Sequence, residues 1–224
     1  MTAGASVVAY YGEKRRNHPE LADLITGVQE VVSRAAAGQF HARDLFEVHA
    51  TIVGLEGVRN DRRPRLSDLL LYLRSTLDAG MTIQFGGFAP AYRGMRSRDR
   101  TLYERSFTVS GGDVMLMGWP VESGAPSTAL DTVRRQCEQL GFVHKYYSDD
   151  LAVDADCYLS VGRLDDGARV KDCELLVREY LSRLRSASAQ VPDGIRVPLS
   201  SADISIVLYE DRNLARASSA VYWL

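Results

Sequence analysis

Two stretches decide the fold: Val48-His49-Ala50-Thr51-Ile52-Val53-Gly54-Leu55 (VHATIVGL) and Cys157-Tyr158-Leu159-Ser160-Val161-Gly162-Arg163-Leu164 (CYLSVGRL). Around the first, Phe46, Val48, Ala50 and Ile52 alternate with Glu47, His49, Thr51 and Val53. That is the period of a strand with two different faces, so His49 and Thr51 point the same way. In the second, Tyr158 and Ser160 stand in the same relation. Each stretch thus offers a ring followed two residues later by a hydroxyl on one side of a strand.

The surroundings of the two stretches match. Before the first lies a strand-like Ser6–Tyr11, then a helical stripe after Pro19 (Leu21, Leu24, Ile25, Val28, Val32). Before the second lies a strand-like Val114–Trp119, then a helix carrying Leu130, Val133, Cys137 and Leu140 that closes at Gly141. Val7 precedes His49 by 42 residues and Val114 precedes Tyr158 by 44. Matched intervals of this kind point to an internal duplication. A helix follows each stretch, with Leu66, Leu69, Leu70, Leu73 and Leu77 in one copy and Cys173, Val177, Tyr180, Leu181 and Leu184 in the other. Further strands are expected at Thr82–Phe88, Leu102–Val109, Ile195–Leu199 and Ala202–Tyr209, and a turn at Val191–Gly194. No linker long enough to separate independent domains intervenes. The expectation is one α+β domain over residues 1–224, with two pseudo-symmetric lobes of mostly antiparallel sheet and outer helices around a central cleft.

Composition bounds the function. The 224 residues are 46% hydrophobic and 25% charged, the average of a globular chain. No apolar run approaches the roughly 18 residues that a membrane span needs. The short apolar run Val7–Tyr11 precedes Lys14, Arg15 and Arg16, the reverse of a secretory signal, so a cytoplasmic protein is expected. With 27 basic against 29 acidic side chains the net charge is -2, which excludes the global positive field of a protein built for long duplex nucleic acid. Cys137, Cys157 and Cys173 are odd in number and lack a C-x-x-C spacing, which argues against a disulfide framework or a zinc cluster.

On these residues the chain resembles the 2H phosphoesterase superfamily, the 2'-5' RNA ligase-like and cyclic phosphodiesterase proteins named for two H-x-[ST] motifs. The likeness takes in the first strand, His49-Ala50-Thr51, the Val161-Gly162-Arg163-Leu164 ending and the C-terminal DISIVLYEDRNL and VYWL segments. The departure is Tyr158, which stands where the family has its second histidine. A competing register, Asp203-Ile204-Ser205, also lacks one; Tyr158 is preferred because a helix and strands still follow it. The resemblance implies metal-independent, cofactor-free phosphoester chemistry on a cyclic phosphate or a 2'-5'-linked nucleotide or RNA end. One imidazole would take a proton while the other donates one, and the hydroxyls would bind phosphate. Histidine suits both tasks near neutrality, whereas tyrosine, with a pKa of about 10, is a donor and a poor base. By this reading His49 is the base, Tyr158 a hydrogen-bond donor or weak acid, and Thr51, Ser160 and Arg163 the phosphate ligands, with altered or reduced activity. The alternative is a non-catalytic nucleotide- or RNA-binding module with a degenerate site. Tyr158 is equally readable as a core aromatic.

Between the strands around 82–88 and 102–109 lies the loop AYRGMRSRDRTLYER. Its Tyr92, Arg96, Arg98 and Arg100 supply the guanidinium forks and aromatic faces that suit a nucleotide. His18, His41 and His144 are expected in loops, the last in a solvated position.

Overall fold

The computed structural model describes residues 4–12, 14–58, 65–147, 153–188, 193–210 and 214–223. Its main elements are β1 (Gly4–Ala9), α1 (Pro19–Ala35), β2 (Ala50–Gly54), α2 (Leu66–Asp78), β3 (Met81–Phe85), β4 (Asp113–Glu122), α3 (Ala129–Gln139), β5 (Cys157–Leu164), α4 (Val170–Ser182), β6 (Ile195–Leu199), β7 (Ile204–Tyr209) and β8 (Ser219–Trp223). Strand, helix, strand, helix therefore occurs twice, from β1 to α2 and from β4 to α4. The α+β architecture expected from the sequence is present.

The eight strands pair antiparallel in the order β6-β3-β4-β5-β2-β1-β7-β8. Shorter strands extend this sheet: Phe107–Ser110 and Ala125–Pro126 lie on β4, and Phe40–Ala42 lies on β5. The lobes meet where β5 and β2 lie side by side, joined by one residue pair, Leu159 opposite Ala50. One strand after the second helix of each half crosses over. β3, which follows α2, joins β4 of the other half, and β7, which follows α4 and β6, joins β1.

Alternation along the strands sorts the side chains onto two faces. Ala9, Ala50, Ile52, Leu116, Leu159, Ile83, Phe85 and Ile204 form one core with the apolar stripes of all four helices, which contribute Ile25, Leu73, Val133 and Val177 among others. The opposite face carries two smaller clusters, Val8, Tyr11, Val207, Tyr209 and Leu214 in one lobe and Phe88, Leu102, Met117, Trp119 and Ala155 in the other. Between those clusters the sheet is open.

Three expectations shift. The strand predicted from Phe46 begins only at Ala50, because Asp44 accepts the N–H groups of Phe46 through its carboxylate (2.8 Å) and of Glu47 through its carbonyl (2.9 Å) and folds that segment into a turn. Leu102–Arg105 is a helical turn, started by a reciprocal cap between Thr101 and Glu104 that outweighs its strand-like pattern. The strand expected to reach Phe88 stops at Phe85, where Gly86 and Gly87 take φ of 68° and 78°. Part of the turn expected at Val191–Gly194 lies outside the described residues. Among them, no helix is long and apolar enough to cross a membrane.

A buried arginine braces the junction of the lobes. Arg134 of α3 is fully buried. Its Nε donates to the Ile52 carbonyl (2.9 Å), Nη2 to those of Thr51 (3.0 Å) and Asp156 (3.1 Å), and Nη1 to that of Asp154 (2.7 Å), with the Asp154 carboxylate at 3.1 Å. Four hydrogen bonds and one close ion pair thereby engage all three nitrogens of the guanidinium. Arg134→Met would take the closest cation from the buried Asp154 carboxylate and the guanidinium from four carbonyls, and is expected to destabilise the fold by about 3 to 5 kcal/mol in urea titration. Arg134→Lys, with three donors, should recover only part of that loss. A cost below about 1 kcal/mol for the Met variant would remove Arg134 from this role.

Candidate functional site

The open face forms a cleft of about 1500 Å³ across the lobe junction. Because Leu159 lies opposite Ala50, Tyr158 comes beside Thr51 and Ser160 beside His49. All four side chains line the cleft. They face away from Ala50 and Leu159, which are in the helix-side core.

His49 is half-buried and sits just before β2. Its Nδ1 lies 2.8 Å from the Glu47 carbonyl, so Nδ1 carries the proton and donates there. Nε2 is then the basic nitrogen. The ring stands edge-on to Tyr11, centroids 5.5 Å apart. Thr51 is buried. The Tyr158 hydroxyl lies beside Thr51 and Tyr146 but meets no group in hydrogen-bond geometry, and the Ser160 Oγ is likewise buried without a partner. Burial, above all, pushes the Tyr158 hydroxyl well above the usual phenol range and keeps it protonated. The cleft therefore brings together one imidazole, its Nδ1 held by a backbone carbonyl, and two buried hydroxyls with unused hydrogen-bonding capacity.

The loop contributes unevenly. Arg98, Arg100 and Arg105 line the cleft. Arg98 sits with Asp99 at the tip of a two-residue turn between Arg96–Ser97 and Arg100–Thr101, at φ of 46° and 61°. These left-handed values are strained for side chains with a Cβ and aim Arg98 at the mouth. Arg96 and Tyr92 do not line the cleft. Arg96 donates to the Asp99 carbonyl, and Tyr92 packs against Phe88 with its hydroxyl accepting from the Met95 N–H (3.3 Å). Arg163 also lies outside the lining, exposed, with its guanidinium 3.9 Å from Asp113. Gly162 has a packing reason, since a Cβ there would meet the Phe40 ring at 2.4 Å. The competing register fails to reach the site: Asp203 is bound to His18 Nε2 at 2.5 Å, and Ser205 lies on β7, opposite Val8.

Several lining residues escape the sequence reading. Asp156 accepts from Ser97 (2.6 Å), Trp119 Nε1 (2.7 Å) and Arg105 (2.6 Å), which ties the Arg-rich loop to the start of β5. A signal for it exists: Asp154, Asp156, Tyr158 and Ser160 share one period-two register. Glu56, Lys145 and Tyr209 form a hydrogen-bonded trio at another part of the wall, with Lys145 Nζ 3.1 Å from Glu56. Tyr146 stands edge-on to Tyr158 at 5.5 Å. No periodicity marks that trio or Tyr146; the pairing of Phe142–Val143 with Gly57–Val58 brings their loop to the cleft.

No family model matches the chain, and no curated protein matches it in sequence. Among solved structures, TT0787 of Thermus thermophilus aligns over 99% of this chain and 94% of its own at 10% identity and a TM-score of 0.44. Usb1 of Kluyveromyces marxianus aligns over 99% and 98% at 10% identity and a TM-score of 0.42. Among the described residues no group of three or more His, Cys, Asp or Glu side chains is arranged to hold a metal ion.

His144, expected in solvent, is buried behind the cleft, where its ring packs on Tyr146 and Tyr147. Its Nδ1 accepts from the Gly54 N–H at 3.4 Å, and Nε2 lies 3.6 Å from the Asp154 carboxylate, beyond hydrogen-bond reach. Burial lowers its pKa from 6.5 to about 4, against the opposing pull of Asp154. The folded protein holds His144 neutral while the unfolded chain protonates near pH 6.5, so stability is full above that pH and falls as pH drops towards 4. The loss is of order 3 kcal/mol. Urea titrations at about pH 7.5 and about pH 4.5 should show a smaller difference for His144→Gln than for the wild type; equal differences would overturn this.

Proposed function

We propose that the protein is a metal-independent phosphoesterase-like protein that acts slowly on a cyclic phosphate or a 2'-5'-linked nucleotide or RNA end. The observation that carries this reading is the pair of unpartnered buried hydroxyls, Tyr158 and Ser160, beside an imidazole whose other nitrogen is tied to a backbone carbonyl. In this scheme His49 Nε2 takes the proton of water or of a ribose hydroxyl as that oxygen bonds to phosphorus. Thr51 and Ser160 donate hydrogen bonds to the non-bridging oxygens, and Arg98 and Arg100 balance their charge. Tyr158 donates towards the leaving oxygen as the bond from phosphorus to that oxygen breaks. Its elevated pKa makes it a weak acid, which accounts for slow turnover relative to a site with two histidines.

That same elevated pKa favours a second reading, a module that binds the phosphate without turnover. Wild type, His49→Ala and Tyr158→His, incubated with nucleoside 2',3'-cyclic phosphates and 2'-5' dinucleotides, separate the two. For the enzyme, His49→Ala is expected to lower kcat by about 10² to 10⁴-fold, and Tyr158→His to raise it. Binding without product in the wild type, with product gained in Tyr158→His, selects the module. Full activity in His49→Ala, or no binding by any of the three, defeats the assignment.

A further inference from the structure

The charge of the cleft is balanced. Apart from His49, five basic and five acidic side chains line it. Two of the cations are held close to carboxylates, Arg105 by Asp156 at 2.6 Å and Lys145 by Glu56 at 3.1 Å. Arg98 is half exposed and reaches its nearest carboxylate, Asp154, at 3.3 Å, while Asp154 is itself held closer by Arg134. Arg100 makes no ion pair or side-chain hydrogen bond to the described residues. Arg43, ahead of β2, also lines the cleft and has interactions of its own within the chain, so the cationic charge left most available to a ligand lies on one hairpin, at Arg98 and Arg100.

Carboxylates stand on both lobes around it: Glu210 lies beside the end of β7 and Asp113 at the start of β4, while Glu56 is held by Lys145 and Glu174, on α4, by Arg178 at 3.2 Å. A groove that tracks a nucleic-acid strand carries positive charge along its length, because each successive phosphate needs it. Here a second or third phosphate would leave the hairpin and meet Glu210 on one side or Asp113 on the other. Volume sets a different limit: a cleft of about 1500 Å³ has room for more than one nucleoside.

We infer that the cleft selects ligands bearing a single phosphodiester charge, a nucleoside cyclic phosphate or a dinucleoside monophosphate, and discriminates against RNA strands and 5'-phosphorylated forms. This rests on the phosphate site proposed above and names its ligand class. The test uses the wild-type protein and calorimetric binding of four probes: adenosine 2',3'-cyclic phosphate, 2'-5' ApA, 5'-phosphorylated 2'-5' ApA, and an eight-nucleotide RNA ending in a cyclic phosphate. The first two distinguish the sources of the single charge. Both are expected to bind with a salt dependence of about one phosphate, the 5'-phosphate should weaken ApA by about threefold or more, and the octanucleotide should gain nothing over the mononucleotide. Glu210→Gln should narrow the penalty for the 5'-phosphate. An octanucleotide bound about tenfold more tightly, with a salt slope of several phosphates, would overturn the inference and leave the phosphate site standing. If no probe binds, the phosphate site itself falls, and the inference with it.

Discussion

The architecture turns on one buried guanidinium. β2 and β5 share a single residue pair, and the remaining pairing across the junction lies to either side of it, from Phe40–Ala42 on β5 and Phe142–Val143 on Gly57–Val58. Arg134 adds to these bonds by gripping carbonyls on both sides, Thr51 and Ile52 on one and Asp154 and Asp156 on the other. An arginine in this place must be fully satisfied, since an uncompensated buried charge costs several kcal/mol. The acceptors come from the residues that flank or carry the cleft side chains. The same bonds that offset the burial of Arg134 thus set the backbone beneath His49, Thr51, Tyr158 and Ser160.

A second layer of polar contacts fixes the wall above that backbone. Asp154 and Asp156 spend their carboxylates on Arg134, Arg105, Ser97 and Trp119, which anchors the loop carrying Arg98 and Arg100. Burial and nearby charges act in opposite directions on these groups. Asp154 is held well below the usual carboxylate range by His144, Arg134 and Arg98 despite its burial, whereas His144 is driven neutral by the same burial. The support is made largely of partnered polar groups, whereas the buried hydroxyls of Tyr158 and Ser160, two residues that line the cleft, have no partner.

Local periodicity is the part of the structure that the sequence makes legible. Cys157–Leu164 and Ile195–Leu199 agree residue for residue with the structure, because alternation and flanking polar residues bound them tightly. The repeated strand-helix-strand-helix order is legible for the same reason. The segment before His49 deceives because a local Asp44 turn mimics alternation over four residues. Arg134 gives no signal: it adjoins the apolar stripe of α3 and reads as a solvent-facing residue until the carbonyls from two distant segments surround it. His144 and Tyr146 depend in the same way on contacts made across the lobe junction, and no spacing within one segment encodes those.

The crossing of β3 and β7 between the halves has a consequence for the order in which the chain assembles. β1 pairs with β7 through residues about 200 positions apart, Gly4 with Tyr209 and Ala9 with Ile204. One edge of β1 therefore stays open during synthesis until β7, about 200 residues later, has been made. Closing such a distant pairing is slow, and an open apolar edge is prone to wrong partners in the interval. Mutual strand donation also denies either half a complete sheet of its own, so cleavage between α2 and β4 would be expected to yield fragments that recover structure only together.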